Sequence, residues 1–147
     1  MLPVTTRRSL PMSLLRAREL VMARFRPMLA KHDVTEQQWR VVRVLGEESP
    51  LGASELAVRA SILGPSLTRI IKTLESRGLI TRDVHASDAR RVDLAITPAG
   101  RTLIDSLAPE RRRLFEEIEH KHGRPQLDAL LDLLEALILR EESADGT

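Results

Sequence analysis

The stretch Pro65-Ser66-Leu67-Thr68-Arg69-Ile70-Ile71-Lys72-Thr73-Leu74-Glu75-Ser76-Arg77-Gly78-Leu79-Ile80 changes its hydrophobic period part-way along, and that change decides the fold. Up to Arg77 the apolar residues Leu67, Ile70, Ile71 and Leu74 recur with the 3.6-residue period of a helix. Ser66, Arg69, Lys72, Thr73 and Ser76 fall on the opposite side, with Thr68 at the edge. Pro65 suits a first helical position and Gly78 a C-terminal stop, so the spacing predicts a helix over 65–77. Beyond Gly78 the period drops to two. Leu79 to Val84 reads as a strand, and Val92, Leu94 and Ile96, alternating with Asp93 and Ala95, as a second. His85-Ala86-Ser87-Asp88-Ala89-Arg90-Arg91 is the polar tip between them.

Towards the N-terminus, Gly64-Pro65 reads as a turn, preceded by a short helix of about 54–60 with Leu56 and Ala57 inward. Ser49-Pro50-Leu51-Gly52 reads as a loop. Thr35-Glu36-Gln37-Gln38 is a capping box, with Thr35 as N-cap. The helix it opens buries Trp39, Val42 and Leu45 and ends near Glu48. Leu10 to Leu29 forms a long first helix with Leu10, Leu14, Val21, Phe25, Met28 and Leu29 on one face; Pro27 predicts a kink in its last turn. Helix, short helix, helix and hairpin, in that order, make the winged form of the helix-turn-helix.

On the C-terminal side Thr97 reads as an N-cap with Pro98 at the first helical position. The helix that follows carries Leu103, Leu107, Leu114 and Ile118, and Pro109 predicts a kink or short break. Gly123-Arg124-Pro125 ends it. The last helix stacks Leu127, Leu130, Leu131, Leu134, Leu137 and Ile138 on one stripe, a surface wider than a small domain can cover by itself. A second copy of the chain is the natural cover. The fold class is therefore mainly α: a winged helix-turn-helix with a two-stranded β wing over 35–97. Long terminal helices over 10–34 and 98–140 form a dimerisation region, and residues 1–8 and 141–147 are flexible tails.

The chain has 147 residues, room for one domain, with 42% hydrophobic residues and only two Phe and one Trp, so its core is aliphatic. It has no cysteine, which excludes a disulfide framework, a thiolate zinc site and a thiol redox sensor. No 18-residue apolar run and no signal-peptide core is present, which predicts a cytoplasmic protein with no membrane partner. His120 and His122 are two apart and point away from each other on a helix. Glu116 and His120 could share an ion, but a third ligand is missing, so no metal is expected. No phosphate-binding glycine loop, nucleophile elbow or spaced Ser, His and Asp is found; no enzyme and no cofactor is predicted.

Charge is unevenly distributed. Residues 1–51 carry nine Lys/Arg against five Asp/Glu, residues 52–101 eight against five, and residues 102–147 six against eleven. A basic front two thirds suits a polyanion. On the 65–77 helix the outer face is small and polar, with two cations and no acid before Glu75. Small residues let a helix sit deep in the major groove, while Arg and Lys reach phosphates or guanine edges. Taken alone this is also what an ordinary basic surface helix looks like; the order of elements around it favours double-stranded DNA. Arg90 and Arg91 sit where a wing meets the neighbouring minor groove. Asp88 reads as an orienting partner for the arginine, or else Asp88 and Asp93 merely neutralise a charged turn. The candidate DNA-reading set is Pro65, Ser66, Thr68, Arg69, Lys72, Thr73, Ser76, Asp88, Arg90 and Arg91.

The sequence resembles the MarR-type regulators. The resemblance rests on Leu56-Ala57, Pro65-Ser66-Leu67-Thr68-Arg69, Leu74-Glu75-Ser76-Arg77-Gly78-Leu79-Ile80 and Ser87-Asp88-Ala89-Arg90-Arg91, followed by Leu94 and Thr97-Pro98-Ala99-Gly100. It covers about residues 10–140. Leu14-Leu15-Arg16-Ala17-Arg18-Glu19, Phe25-Arg26-Pro27 and Thr35-Glu36-Gln37-Gln38-Trp39-Arg40 are similar to the branch that represses homoprotocatechuate (4-hydroxyphenylacetate) degradation operons. The resemblance implies a homodimer with interlocked terminal helices, each wing domain reading half of a palindromic operator. It also implies repression relieved by a small phenolic or aromatic acid, bound between the dimerisation helices and the DNA domain.

An aromatic carboxylate needs a fixed cation, preferably Arg. Arg18 falls within the apolar face of the first helix, near Val21 and Phe25, and there requires an anion: Glu19, an acid of another chain, or a ligand. Arg16 lies on the opposite face. Trp39 and Arg43, one turn apart, with His32 before the cap, offer an aromatic wall and polar anchors. Equally, Trp39 is a core residue and Arg43 a partner of Glu47. The candidate effector set is Arg18, Arg16, His32, Trp39 and Arg43. The alternatives are a DNA-binding regulator of the same fold with another trigger or none, and a winged-helix protein-interaction module.

Overall fold

The computed structural model describes residues 4–88 and 90–144. Among the described residues seven helices and one hairpin follow in chain order: α1 (Val4–Arg7), α2 (Leu10–Lys31), α3 (Glu36–Glu47), α4 (Ala53–Ala60), α5 (Gly64–Ser76), β1 (Ile80–Val84), β2 (Val92–Ile96), α6 (Pro98–His122) and α7 (Arg124–Ala144). The chain divides into two compact units, Met1–Pro109 and Glu110–Thr147. Among the described residues no helix is long and apolar enough to cross a membrane.

The first unit is built on one aliphatic core. Val41, Val42 and Leu45 of α3, Leu56 of α4, Leu67, Ile71 and Leu74 of α5, and Ile80 and Leu94 of the hairpin are all buried in it. These are the stripes that the periods 3.6 and 2 pick out, and their burial is what supports three short helices that would be marginal alone. The capping box forms: the Thr35 hydroxyl accepts from the Gln38 N–H, and the Gln38 side chain accepts from the Thr35 N–H, both at 3.1 Å. The strands pair antiparallel, from Ile80 opposite Ile96 to Val84 opposite Val92.

Several local expectations are corrected. The Ser49–Gly52 loop carries a buried rung: Leu51 and Leu94 exchange both backbone hydrogen bonds, at 2.9 and 2.8 Å. The Leu51 side chain belongs to the core. The free edge of β2 is thus paired at Leu94, and Asp93 and Ala95 are half-buried instead of open to solvent. Gly64 is helical, so α5 starts one residue before Pro65. Neither proline breaks its helix: α2 continues past Pro27 to Lys31 and α6 past Pro109 to His122. Each proline removes one N–H, and the bonds of the adjoining turns keep the helix in register. Residues 4–7, placed in a loose arm, make one helical turn, and α7 extends to Ala144; residues 1–3 and 145–147 lie outside the described residues.

Gly78 and Gly100 are both required where α5, the hairpin and α6 meet. Gly78 ends α5 at φ +72, a conformation that side chains disfavour. Gly100, in the first turn of α6, lies against the Leu79 carbonyl and 2.7 Å, measured from an added Cβ, from Ile96 Cγ1. Gly100→Ala should therefore lower the unfolding free energy by about 1–3 kcal/mol. Gly64→Ala, where an added Cβ meets nothing within 4 Å, should be neutral or slightly stabilising. Urea denaturation of both variants checks this.

Candidate nucleic-acid interface

The core of the first unit holds α5 by one face and leaves the other open. Leu67, Ile71 and Leu74 are buried. Pro65, Thr68, Arg69, Lys72 and Ser76 are exposed, while Ser66 and Thr73 are half-buried. Ser66, Arg69, Ile70 and Thr73 form one wall of a cleft of about 260 Å³, and Thr35, Gln37 and Gln38 at the start of α3 form the other. The hydroxyls are parked on the helix's own carbonyls: Thr68 donates to Gly64 O, Thr73 to Arg69 O and Ser76 to Thr73 O, at 2.8–3.2 Å. Such back-bonds add little to the helix and are easily exchanged for a phosphate.

The wing is ordered by its own backbone. Asp88 accepts from the Arg90 N–H through its carboxylate at 3.0 Å, and its carbonyl accepts from the Arg91 N–H at 3.0 Å. Asp88 therefore shapes the turn through the chain of Arg90, not through an ion pair with the guanidinium, because the turn brings the amide within reach first. His85 N–H closes the tip on Arg91 O, and His85 Nε2 meets Asp93 Oδ2 at 2.9 Å. Asp93 is thus occupied by His85.

Cations are treated differently across the molecule. Arg18, Arg26, Arg43, Arg59 and Arg113 all face carboxylates. Among the described residues no ion pair involves Arg69, Lys72, Arg90 or Arg91. An unpaired guanidinium engages a phosphate without first giving up a partner.

Of the candidate effector residues, the structure brings Arg18 to α3: its guanidinium meets Glu36 in the first turn of that helix and Glu19 at 3.6 Å. Arg26 joins the same group, 3.0 Å from Glu19 and 3.7 Å from Glu36. Hydrogen bonding to Arg26, with its charge and that of Arg18, holds the Glu19 carboxyl below its ordinary range. Arg18 is 44% exposed, so the anion its helical face calls for comes from Glu19 and Glu36. Trp39 is buried, Arg43 pairs with Glu47 at 3.5 Å, Arg16 is exposed and His32 is half-buried. Among the described residues no hydrogen bond or ion pair joins Arg16, His32 or Arg43 to Arg18.

Three contributors escape a linear reading. Gln37 lines the α5 cleft, Glu36 is the counter-ion of Arg18, and Arg77 clamps the end of α2. From the C-cap of α5, Arg77 donates to Asp33 O at 2.7 Å and His32 O at 3.4 Å. Their partners lie 18 to 45 residues away in sequence. Only the capping-box spacing, which places Glu36 and Gln37 in a first turn, gave any signal.

A helix held by one face, with a basic polar face open beside an arginine-bearing hairpin, defines a winged helix-turn-helix DNA-binding regulator. The chain belongs to the MarR family, whose pattern matches residues 34–92; this is a family of transcriptional regulators and not of enzymes. It is 39% identical to the HTH-type transcriptional regulator FarR of Neisseria gonorrhoeae, over 94% of both chains. It is 38% identical to the homoprotocatechuate degradative operon repressor of Escherichia coli, over 94% of this chain and 96% of that one. Among solved structures, NadR in complex with 4-hydroxyphenylacetate superposes with a TM-score of 0.84 at 38% identity, covering 92% of this chain and 99% of that one.

The Arg77 clamp is testable. Arg77→Ala should cost about 1 kcal/mol of unfolding free energy, since two carbonyls lose a charged donor at a partly solvated site. Arg77→Lys should recover part of it, with chemical denaturation as the measurement.

Proposed function

We propose that this MarR-family regulator is a homodimeric repressor of an aromatic-acid catabolic operon, released from a palindromic operator by a small phenolic or aromatic carboxylate. The observation that carries the DNA side is that, among the described residues, Arg69 and Lys72 on α5 and Arg90 and Arg91 on the wing take part in no ion pair. In this reading the N-terminal turns of α5 enter the major groove. Pro65, Ser66 and Thr68 approach closely there, Arg69, Lys72, Thr73 and Ser76 meet base edges or phosphates, and Asp88 holds the wing turn so that Arg90 and Arg91 reach the minor groove.

Residues 35–97 are the reading unit in this proposal, and 10–34 with 98–140 the dimerisation region. Support comes from apolar faces left open on two helices: Leu10, Leu14 and Val21 on α2, and Leu130, Leu131 and Ile138 on α7, are all exposed. A second copy would cover them. The effector reading places the ligand carboxylate on Arg18, with Trp39 as the aromatic wall and Arg43, His32 and Arg16 as polar neighbours. Its support is the position of Arg18 between α2 and the first turn of α3. Similarity to a repressor named for homoprotocatechuate degradation, and to a protein solved with 4-hydroxyphenylacetate, names the ligand class to try.

Fluorescence anisotropy on DNA upstream of the protein's own gene tests both halves. Tight, salt-sensitive binding is expected, relieved by 4-hydroxyphenylacetate or homoprotocatechuate. Arg90→Glu should weaken binding and make the salt slope shallower by about one per lost phosphate contact. An indifferent Arg90→Glu would favour a protein-interaction module. Arg18→Ala should retain DNA binding and abolish release; release that persists in this variant would remove Arg18 from the effector site. Binding unaffected by either acid would keep the regulator and discard this effector class.

A further inference from the structure

Leu63 breaks two local rules at one position. It is the N-cap of α5, where Ser, Thr, Asp or Asn would accept from the first free amides, and no side-chain cap bond forms there. It is also a large aliphatic residue left 80% exposed. Val58, on the neighbouring α4, is 75% exposed, and together with Ala57, Ser61, Ile62 and Gly64 the two residues line one shallow apolar hollow. The Leu63 side chain is largely outside the core, and its carbonyl accepts from the Leu67 N–H at 2.9 Å, as any N-cap carbonyl does. Departures from local preference without structural gain concentrate at functional positions.

We infer that Leu63 is a sequence-reading residue that packs on the 5-methyl group of a thymine in each half-site. This rests on the reading of α5 as the groove helix. In a helix-turn-helix the first residues of the second helix contact base edges, and Leu63 stands at its threshold. An aliphatic side chain can neither donate nor accept. The thymine methyl is the apolar feature of the major groove it can recognise. The hollow ends at Gly64, the first residue of α5; Pro65 and Ser66 follow it in the chain, and Arg69 and Lys72 on the same helix are free to hold the backbone. Ser61, in left-handed conformation at φ 53, makes the tight turn that brings the hollow beside the helix start.

The test uses the full-length protein and a duplex it selects from a random pool, with each thymine replaced in turn by deoxyuridine, which removes only the methyl. At one position per half-site the wild type should lose about fourfold in affinity, the effect of one buried methyl. Leu63→Ser should bind the thymine and uracil duplexes equally at that position. Its thermal midpoint should rise, because serine caps the helix. A Leu63→Ser protein that keeps wild-type sensitivity at every thymine, or a wild type sensitive at none, overturns the assignment and leaves the hollow as a protein-docking surface. A lowered midpoint overturns it too, by giving Leu63 a role in the fold. Arg69→Ala serves as the reference: unchanged affinity in that variant would count against α5 as the groove helix, whereas weakened binding there with an indifferent Leu63 would count against Leu63 alone.

Discussion

The hydroxyl of Thr97 joins the ends of three elements. It donates to Gly78 O at 2.6 Å, where α5 has just stopped, and accepts from the Gly100 N–H at 3.0 Å, in the first turn of α6. Its own N–H, at the end of β2, donates to Leu79 O at 3.1 Å. The ends of α5 and β2 and the start of α6 therefore meet at one residue. Gly100 is the consequence: the same carbonyl that Thr97 binds leaves no room for a side chain one turn on. A cap that usually contributes only to its own helix here sets the angle between the helix and the hairpin that would face DNA.

Around that junction the charges fall into two groups. Those connecting α2 to the start of α3 are mutually satisfied: Arg18 and Arg26 alternate with Glu19 and Glu36. Exposed pairs of this kind contribute little to stability one at a time, and more as a network. Arg77 adds a second tie, from the end of α5 to the carbonyls of His32 and Asp33 just past α2. The start of α3 is thus tied to α2 through Arg18 and Glu36, and the turn just before it is tied to the end of α5 through Arg77. The cations of α5 and the wing take no part in either. A regulator needs both kinds of charge, one that holds its parts together and one that remains free for a polyanion.

Much of this was legible in the residues. Leu67, Ile71 and Leu74 were placed inward by their spacing alone, and Thr35 with Gln38 by the capping-box pattern, because both depend on contacts three or four residues apart. Arg43 with Glu47 belongs to the same class. The bridge of Leu51 to Leu94 was not legible. It pairs residues 43 apart, and nothing in Ser49-Pro50-Leu51-Gly52 distinguishes a buried rung from a surface loop. That Asp88 takes the backbone N–H of Arg90 was not legible either, since backbone geometry in a tight turn is not written in the order of side chains. At Pro109, where a kink or short break is expected, and at Pro27, where a kink is expected, the helix runs on unbroken.

The sequence by itself determined the order of the elements, the face of each helix that is buried, and the family to which the chain belongs. All three follow from local periodicity, capping chemistry and motif spacing, which act over a few residues. Only the tertiary structure decided which cations are free and which are paired. It alone put Glu36 on Arg18, closed the free edge of β2 with Leu51, and left Leu63 uncovered at the head of α5. Those outcomes depend on where the aliphatic core brings distant segments together, and a side chain's partner is set by that packing and not by its neighbours in the chain.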